Sequence, residues 1–413
     1  MLITLAWLLA APTTGLLVWF ALEVLLGLRA LPSPLVLEQL PQTTVLIPAH
    51  NEALGITKTL RPLVGAAPAL SVLVVADNCS DETAELARAA GAEVIERHDS
   101  DRRGKGFALA FGRDHLAQRQ KADRPDVVIV LDADCRTSLE RIQSLAAACH
   151  RSGGPVQARN LIIGEAPVQE DGTAGLMRNP QQPGPSSPLA QLSSFAMLIK
   201  NLVRARGLQR IGGGIPLFGT GMAFPWPIFA EAQLATDHLV EDMQLALQLA
   251  RRGVRVTLVE EAQVESAPAP DDAMAAQRSR WERGFLGTAL SQGLPLLSQG
   301  IGSGSRHRAA LGMHLLVPPL ALLLMLASAM MAIVAAIGYY TGVWAPAGML
   351  FATLIAALLS VFLAWRLEGR ATLSPRAAFE APFYVLWKVP LYLGFLKKNQ
   401  AGWNRTRREG ESE

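Results

Sequence analysis

Apolar residues are spread unevenly along the chain. Three long runs, Leu2–Leu28, Leu311–Ile337 and Trp344–Trp365, lie towards its two ends. Each is long enough to cross a bilayer as a helix. Between them the apolar residues come in short bursts. Thr43–Ile47, Ser71–Ala76, Ala92–Arg97 and Val127–Leu131 are rich in β-branched residues and read as strands. Val127–Leu131 is apolar throughout, as in a parallel strand covered on both faces. Helical stretches intervene at Ile56–Val64, at Ala84–Ala90 ended by Gly91, at Gly106–Gln120 and at Leu139–Arg151. Ser80 is placed to cap the second of these, with Thr83 three residues on. Val156–Arg159 and Val254–Val259 are further strands. Leu189–Arg206, Val240–Arg252 and Ala273–Leu297 are further helices, and Gly164–Pro188 is a Gly- and Pro-rich loop. This alternation predicts a βαβ sheet with crossover helices.

The chain has 413 residues, of which 50% are hydrophobic and 18% charged, an apolar balance for a soluble protein. An integral membrane protein with a polar middle is expected. Its formal charge of +3 does not argue for nucleic acid. Cys79, Cys135 and Cys149 lack metal-ligand spacing and suit a reducing compartment. Leu2–Leu28 has no basic n-region and reads as a retained anchor. Arg29 follows it, Arg306, His307 and Arg308 precede the second run, and Arg366, Arg370 and Arg376 follow the third. The positive-inside rule then places the polar domain in the cytosol. Phe379–Leu396 contains Glu380, Pro382, Lys388 and Pro390 and precedes a basic tail. It is expected to lie in the membrane interface, a fourth span being the alternative. The expected organisation is an anchor at 1–29, an α/β domain at 43–270, an interfacial helix at 271–300, a transmembrane hairpin at 309–366 and an interfacial helix with a basic cytosolic tail at 378–413.

Val127–Leu131 runs into Asp132-Ala133-Asp134. Residues two apart share a face of an extended strand, so the two carboxylates would point together beyond the strand's carboxyl end. Hard divalent cations take such oxygen sites and share them with phosphates. An Asp-rich turn without an ion is the competing reading. Asp77 also ends a strand. Lys105, between Gly104 and Gly106, opens a helix, where an ammonium and free amides can meet a diphosphate; an ordinary basic loop is the alternative. Glu241-Asp242 opens a helix too, where acids also complement the macrodipole. Gln277-Arg278-Ser279-Arg280-Trp281 precedes the hairpin and suits a membrane-interface helix. His50 after a strand reads as a hydrogen-bonding turn residue rather than a metal ligand. Gly219-Thr220-Gly221 is either a close-approach floor for an acceptor or a simple tight turn.

In this order and spacing, Pro48-Ala49-His50-Asn51-Glu52, Val75–Asp81, Gly104-Lys105-Gly106, Asp132-Ala133-Asp134, Val240-Glu241-Asp242 and Gln277-x-x-Arg280-Trp281 resemble a membrane-bound, inverting family 2 glycosyltransferase. The likeness covers about residues 43–285 and the membrane arrangement. It implies an α/β fold of the GT-A type, with a Rossmann-like, mostly parallel sheet. It also implies roles. Glu52 and Asp77 would hold the nucleoside of a UDP-sugar, Lys105 and Asp132 its ribose or diphosphate, and Asp134 a Mg²⁺ or Mn²⁺ ion. Asp242 would be the base that deprotonates the acceptor hydroxyl. Glu241, Gln277, Arg280 and Trp281 would line the acceptor and diphosphate side. Val240 departs from the family's usual threonine.

The residue types suit that chemistry independently. Breaking the anomeric bond puts negative charge on the leaving diphosphate, which a divalent cation with Lys105 or Arg280 stabilises. One carboxylate base and no covalent nucleophile give inversion. The expected activity is sugar transfer to a lipid or lipid-linked acceptor at the cytosolic face of the inner membrane. Processive synthesis of a β-linked exopolysaccharide is the alternative. A transporter or scaffold is remote, because neither hairpin run carries a midplane charge.

Overall fold

The computed structural model describes residues 1–32, 40–162, 187–236, 240–266 and 271–396, the side chains of 271–279, 393, 395 and 396 excepted. Residues 164–186 of the expected loop and the basic tail from Lys397 lie outside that set. The described residues form two compact units.

One unit is built on an eight-stranded sheet. Its strands are β1 (Thr43–Ala49), β2 (Leu70–Asp77), β3 (Glu93–Arg97), β4 (Val127–Val130), β5 (Cys135–Arg136), β6 (Val156–Ile162), β7 (Met222–Pro225) and β8 (Thr257–Ser266). Their order is β3-β2-β1-β4-β7-β6-β8-β5. The first four are parallel, with Val45 level with both Val72 and Ile129. From β1 the chain moves outward to β2 and β3, then returns to β4 on the other side of β1. The carboxyl ends of β1 and β4 therefore flank a topological switch point, where such sheets bind ligands. Val45, Ile47, Val74, Ile129 and Leu131 are fully buried in the core on one face of the sheet.

The sheet is mostly parallel, as expected, but β7 is antiparallel to both β4 and β6. This reversal was not expected, because Met222–Pro225 is short and has no alternating pattern. It matters for the site. An antiparallel β7 begins where β4 ends, with Met222 paired to Val130 and the Gly221 amide donating to Val130 O at 2.9 Å. The loop entering β7 thus lies at the same edge as the Asp132 turn.

Other boundaries differ for local reasons. The helix expected over Ile56–Val64 regularises only over Ile56–Leu60. Ser80 does not cap the next helix, Thr83–Ala89; its amide donates to Asn51 Oδ1 at 2.8 Å, and Asp81 Oδ1 takes the Thr83 amide at 3.1 Å instead. The last strand starts later and runs further than Val254–Val259, because β6 continues alongside it across a register shift at Ala158/Arg159.

The other unit is helical. Leu2–Gly27, Leu320–Thr341 and Ala345–Gly369 are long and apolar enough to cross a membrane. The first packs against the other two, with Ala6, Ala10, Val334 and Ala347 forming a small-residue core. The apolar run expected as one span, Leu311–Ile337, is two helices, Arg306–Leu316 and Leu320–Thr341. Pro318 and Pro319 separate them, since proline cannot donate into a continuing helix.

Within this unit, the stretch Pro188–Arg210 includes π-helical Ile199–Arg204 and clamps the end of the first helix. Glu23 is fully buried and accepts from Arg204 Nε at 2.6 Å, Trp19 Nε1 at 2.7 Å and His314 Nδ1 at 2.8 Å. Arg210 donates to Leu26 O, Arg29 O and Ala30 O, carbonyls at or beyond the helix end. The two helices cross backbone to backbone: a Cβ on Gly207 would lie 1.8 Å from Glu23 O, and one on Gly27 would lie 1.8 Å from Val203 O. Gly207→Val should therefore lower the stability of the solubilised protein by about 2 kcal/mol or more, read as a fall in its thermal midpoint, because backbone rather than a flexible side chain must move.

Candidate active site

The site lies at the carboxyl ends of β1, β2 and β4. The loops after β1 and β2 are stitched together. His50 Nδ1 shares a hydrogen bond with Asp77 O at 2.7 Å, Asn51 Nδ2 donates to Ser80 Oγ at 3.2 Å, and the Glu52 amide donates to Thr83 Oγ1 at 2.8 Å. His50 is thus the turn residue expected. Asn51 and Asn78 both take φ of 53°, the left-handed region that asparagine tolerates better than most. Asp77 is buried, and its Oδ1 accepts from Arg97 Nη1 at 2.7 Å and Asn78 Nδ2 at 3.0 Å. Arg97 also reaches Asp99 at 3.0 Å and stacks over Phe107. The periodicity did not point to Arg97, which the pairing of β3 with β2 sets level with Asp77.

Asp132 and Asp134 come together by a different route from the one expected. β4 ends at Val130, and the pair lies in a turn closed by the Cys135 amide donating to Asp132 O at 3.1 Å. Buried Thr59 Oγ1 pins that turn by donating to Ala133 O at 2.7 Å. Ligand atoms of Asp132, Asp134 and Cys135 lie within 4.8 Å of one another. Burial, with the charges of Asp134 and Asp132, pushes the Cys135 thiol well above its ordinary range. It stays a neutral thiol that meets Thr220 and Ser266. The available donors are then carboxylate oxygens, a hard set that fits Mg²⁺ or Mn²⁺.

Lys105 opens the helix Lys105–Gln118 from a Gly104 with φ of 126°. Gly106 is required there, since its Cβ would lie 2.4 Å from Leu234 O. The Lys105 ammonium meets Asp132 Oδ1, donates to Gly219 O at 2.7 Å and lies 3.9 Å from Glu241 Oε1. Burial alone would lower its pKa, but Asp132 and Glu241 outweigh burial and hold it above the ordinary lysine value. Burial and the charge of Asp242 push Glu241 up to about 7, against the pull of Lys105. Asp242 sits beside the same loop: a Cβ on Gly219, at φ of 84°, would lie 3.3 Å from Asp242 Oδ2 and 3.8 Å from Lys105 Nζ. The structure therefore gathers Lys105, Asp132, Glu241 and Asp242 around Gly219, with Asp134 beside Asp132.

Residues 44–172 match a family model described as glycosyl transferase family 2, and residues 192–367 match one described as glycosyl transferase family group 2. The chain carries family 2 glycosyltransferase domains. Its fold is that of GT-A enzymes. It is similar to the mannosyltransferase PcManGT of Pyrobaculum calidifontis, solved with GDP-Man and Mn²⁺, at a TM-score of 0.53 and 17% identity over 94% of this chain and 100% of that one. The glycosyltransferase AglD of Haloferax volcanii is 34% identical over 115 residues, 25% of this chain and 17% of that relative. The 4,4'-diaponeurosporenoate glycosyltransferase of Staphylococcus haemolyticus is 29% identical over 128 residues, 29% of this chain and 32% of the relative. The chain thus spans less than a third of the length of these curated relatives.

Gln277, Arg280 and Trp281 lie on the helix Asp271–Gly302. The Gln277 side chain is outside the described residues, and Trp281 is exposed. Gly284, one turn beyond Arg280, sits against Val240, where its Cβ would lie 2.6 Å from Val240 Cγ1. The departure from threonine at position 240 thus places an apolar contact against that helix, next to Glu241-Asp242.

Because the folded protein holds the Glu241 proton up to about pH 7 and an unfolded chain releases it near 4.5, this group lowers folding stability as pH rises from about 4.5 to about 7. Glu241→Gln should flatten that fall, measured as the thermal midpoint in divalent-free buffer across that range.

Proposed function

We propose that the protein is an inverting glycosyltransferase that moves a sugar from a nucleotide-sugar donor, read as a UDP-sugar, to a lipid or lipid-linked acceptor at the cytosolic face of the membrane. The observation that carries this reading is the Lys105 ammonium held between Asp132, Glu241 and the Gly219 carbonyl, with Asp242 against the same glycine. It supplies a cationic seat for a diphosphate and a carboxylate beside it. Asp132 and Asp134 would hold a divalent cation, which would stabilise the leaving diphosphate. Asp242 would accept the proton of the acceptor hydroxyl. Glu52 and Asp77, on the stitched loops, would meet the nucleoside. Arg280 and Trp281, with Gln277, would line the acceptor side.

The apolar helices support a membrane acceptor. Phe379, Phe383, Leu386 and Trp387 are exposed and recur at helical spacing, which suits a segment lying in the interface. The excess of arginine flanking the candidate spans supports a cytosolic site.

Membranes containing the protein should transfer label from one of a panel of UDP- and GDP-sugars into the organic-solvent extract. Label in the insoluble residue instead would make it a polymer synthase. Asp242→Asn should lower kcat at least about a hundredfold while donor affinity stays within a few fold. Near wild-type turnover in that variant sinks the base assignment. EDTA should abolish turnover and Mn²⁺ or Mg²⁺ restore it; turnover that EDTA leaves unchanged removes the metal from the mechanism.

A further inference from the structure

We propose that Gln157 is a positioning residue for sugar transfer, its buried amide holding the Phe218–Gly221 loop in the shape that sets Lys105, Asp132 and Asp242. The proposal rests on the transferase reading above and adds a residue that does not touch the reacting groups.

Gln157 lies on β6 and is fully buried, while its neighbours Val156 and Ala158 enter the main core. Its Nε2 donates to Thr220 O at 2.8 Å and Ala158 O at 2.9 Å and reaches Gly221 O at 3.2 Å. Its Oε1 accepts from the Phe218 amide at 2.9 Å. Asn160 Nδ2 adds a bond to Phe218 O at 3.3 Å. Both ends of the amide are thus occupied by the main chain of one loop. An apolar residue would fill the same space but remove the bonds to the Phe218 amide and the Thr220 carbonyl.

The same loop makes the contacts that order the site. Gly219 O accepts from the Lys105 ammonium. Thr220 Oγ1 accepts from the Asp132 amide at 3.0 Å. The bare Cα of Gly219 bounds Asp242. Each contact comes from Gly219 or Thr220, inside the Phe218–Gly221 loop whose Phe218, Thr220 and Gly221 backbone groups the Gln157 amide meets. A shift of that loop would move the diphosphate seat, the Asp132 backbone and the wall beside the base together. Burial alone does not account for a glutamine here; the match of its oxygen to an N–H and its nitrogen to carbonyls of the loop does.

The test uses full-length protein in detergent, with Mn²⁺ binding read by electron paramagnetic resonance, UDP and GDP binding by calorimetry, and turnover with the active donor. Gln157→Leu should keep cooperative thermal unfolding, lose at least about tenfold in kcat, and weaken Mn²⁺-dependent nucleotide binding by about threefold or more. Turnover and binding within about twofold of wild type would overturn the proposal whatever happens to the thermal midpoint, because a merely structural group would move only that. If Gln157→Leu does not fold, Thr220→Val and Thr220→Ser decide. The valine variant should lose turnover and the serine variant keep it; equal behaviour of the two overturns the loop's role. Wild-type protein that binds Mn²⁺ and nucleotide but transfers no sugar removes the transferase reading, while the effect of Gln157→Leu on Mn²⁺ binding still decides the positioning role.

Discussion

The Lys105 ammonium offsets a concentration of negative charge that the fold would otherwise have to bear. Asp132, Asp134, Glu241 and Asp242 converge on one edge of the sheet, and two unit charges about 4 Å apart repel by about 4 kcal/mol at an effective dielectric constant near 20. Lys105 bridges Asp132, Glu241 and a backbone carbonyl, and those neighbours in turn keep it charged despite burial. Burial, and after it the charge of Asp242, still hold the Glu241 proton to about pH 7. A diphosphate with a divalent cation would fit this centre because it brings charges of both signs.

The geometry of that centre follows from strand direction. The parallel strands deliver Asp77 and Asp132 to one edge, and the reversed β7 delivers the Phe218–Gly221 loop to the same edge. Without the reversal, the residues preceding β7 would emerge at the opposite end of the sheet. Lys105 would then lack its carbonyl and Asp132 its threonine. Gly219 and Gly106 permit the final approach, since a side-chain carbon at either would crowd Asp242 or the Leu234 carbonyl.

The helical unit solves a different problem with similar means. A carboxylate at Glu23, near the end of an apolar helix, is costly unless it is paired. It is met by Arg204, His314 and Trp19, drawn from three separate helices or turns of helix. Close glycine crossings at Gly27 and Gly207 bring the backbones near enough for these bonds to form. The first helix is therefore integrated into its unit by hydrogen bonds as well as by apolar contact.

Much of this was legible in the residues themselves. The strands β1 to β4, the helices between them, the three long apolar helices and the acidic and basic positions at strand ends follow from local periodicity and turn chemistry, which depend on near neighbours in the chain. The break at Pro318-Pro319 was equally local and was masked only by the apolarity around it. What the sequence left open were relations between distant segments. That Asp132 and Asp134 meet through a turn rather than a strand pleat depends on Thr59, far earlier in the chain. That Ser80 binds Asn51 instead of capping a helix depends on β1 lying beside β2. The direction of β7, the role of Gln157 and the pairing of Arg97 with Asp77 likewise come from packing alone, because hydrogen-bond partners far apart in sequence leave no periodic trace in it.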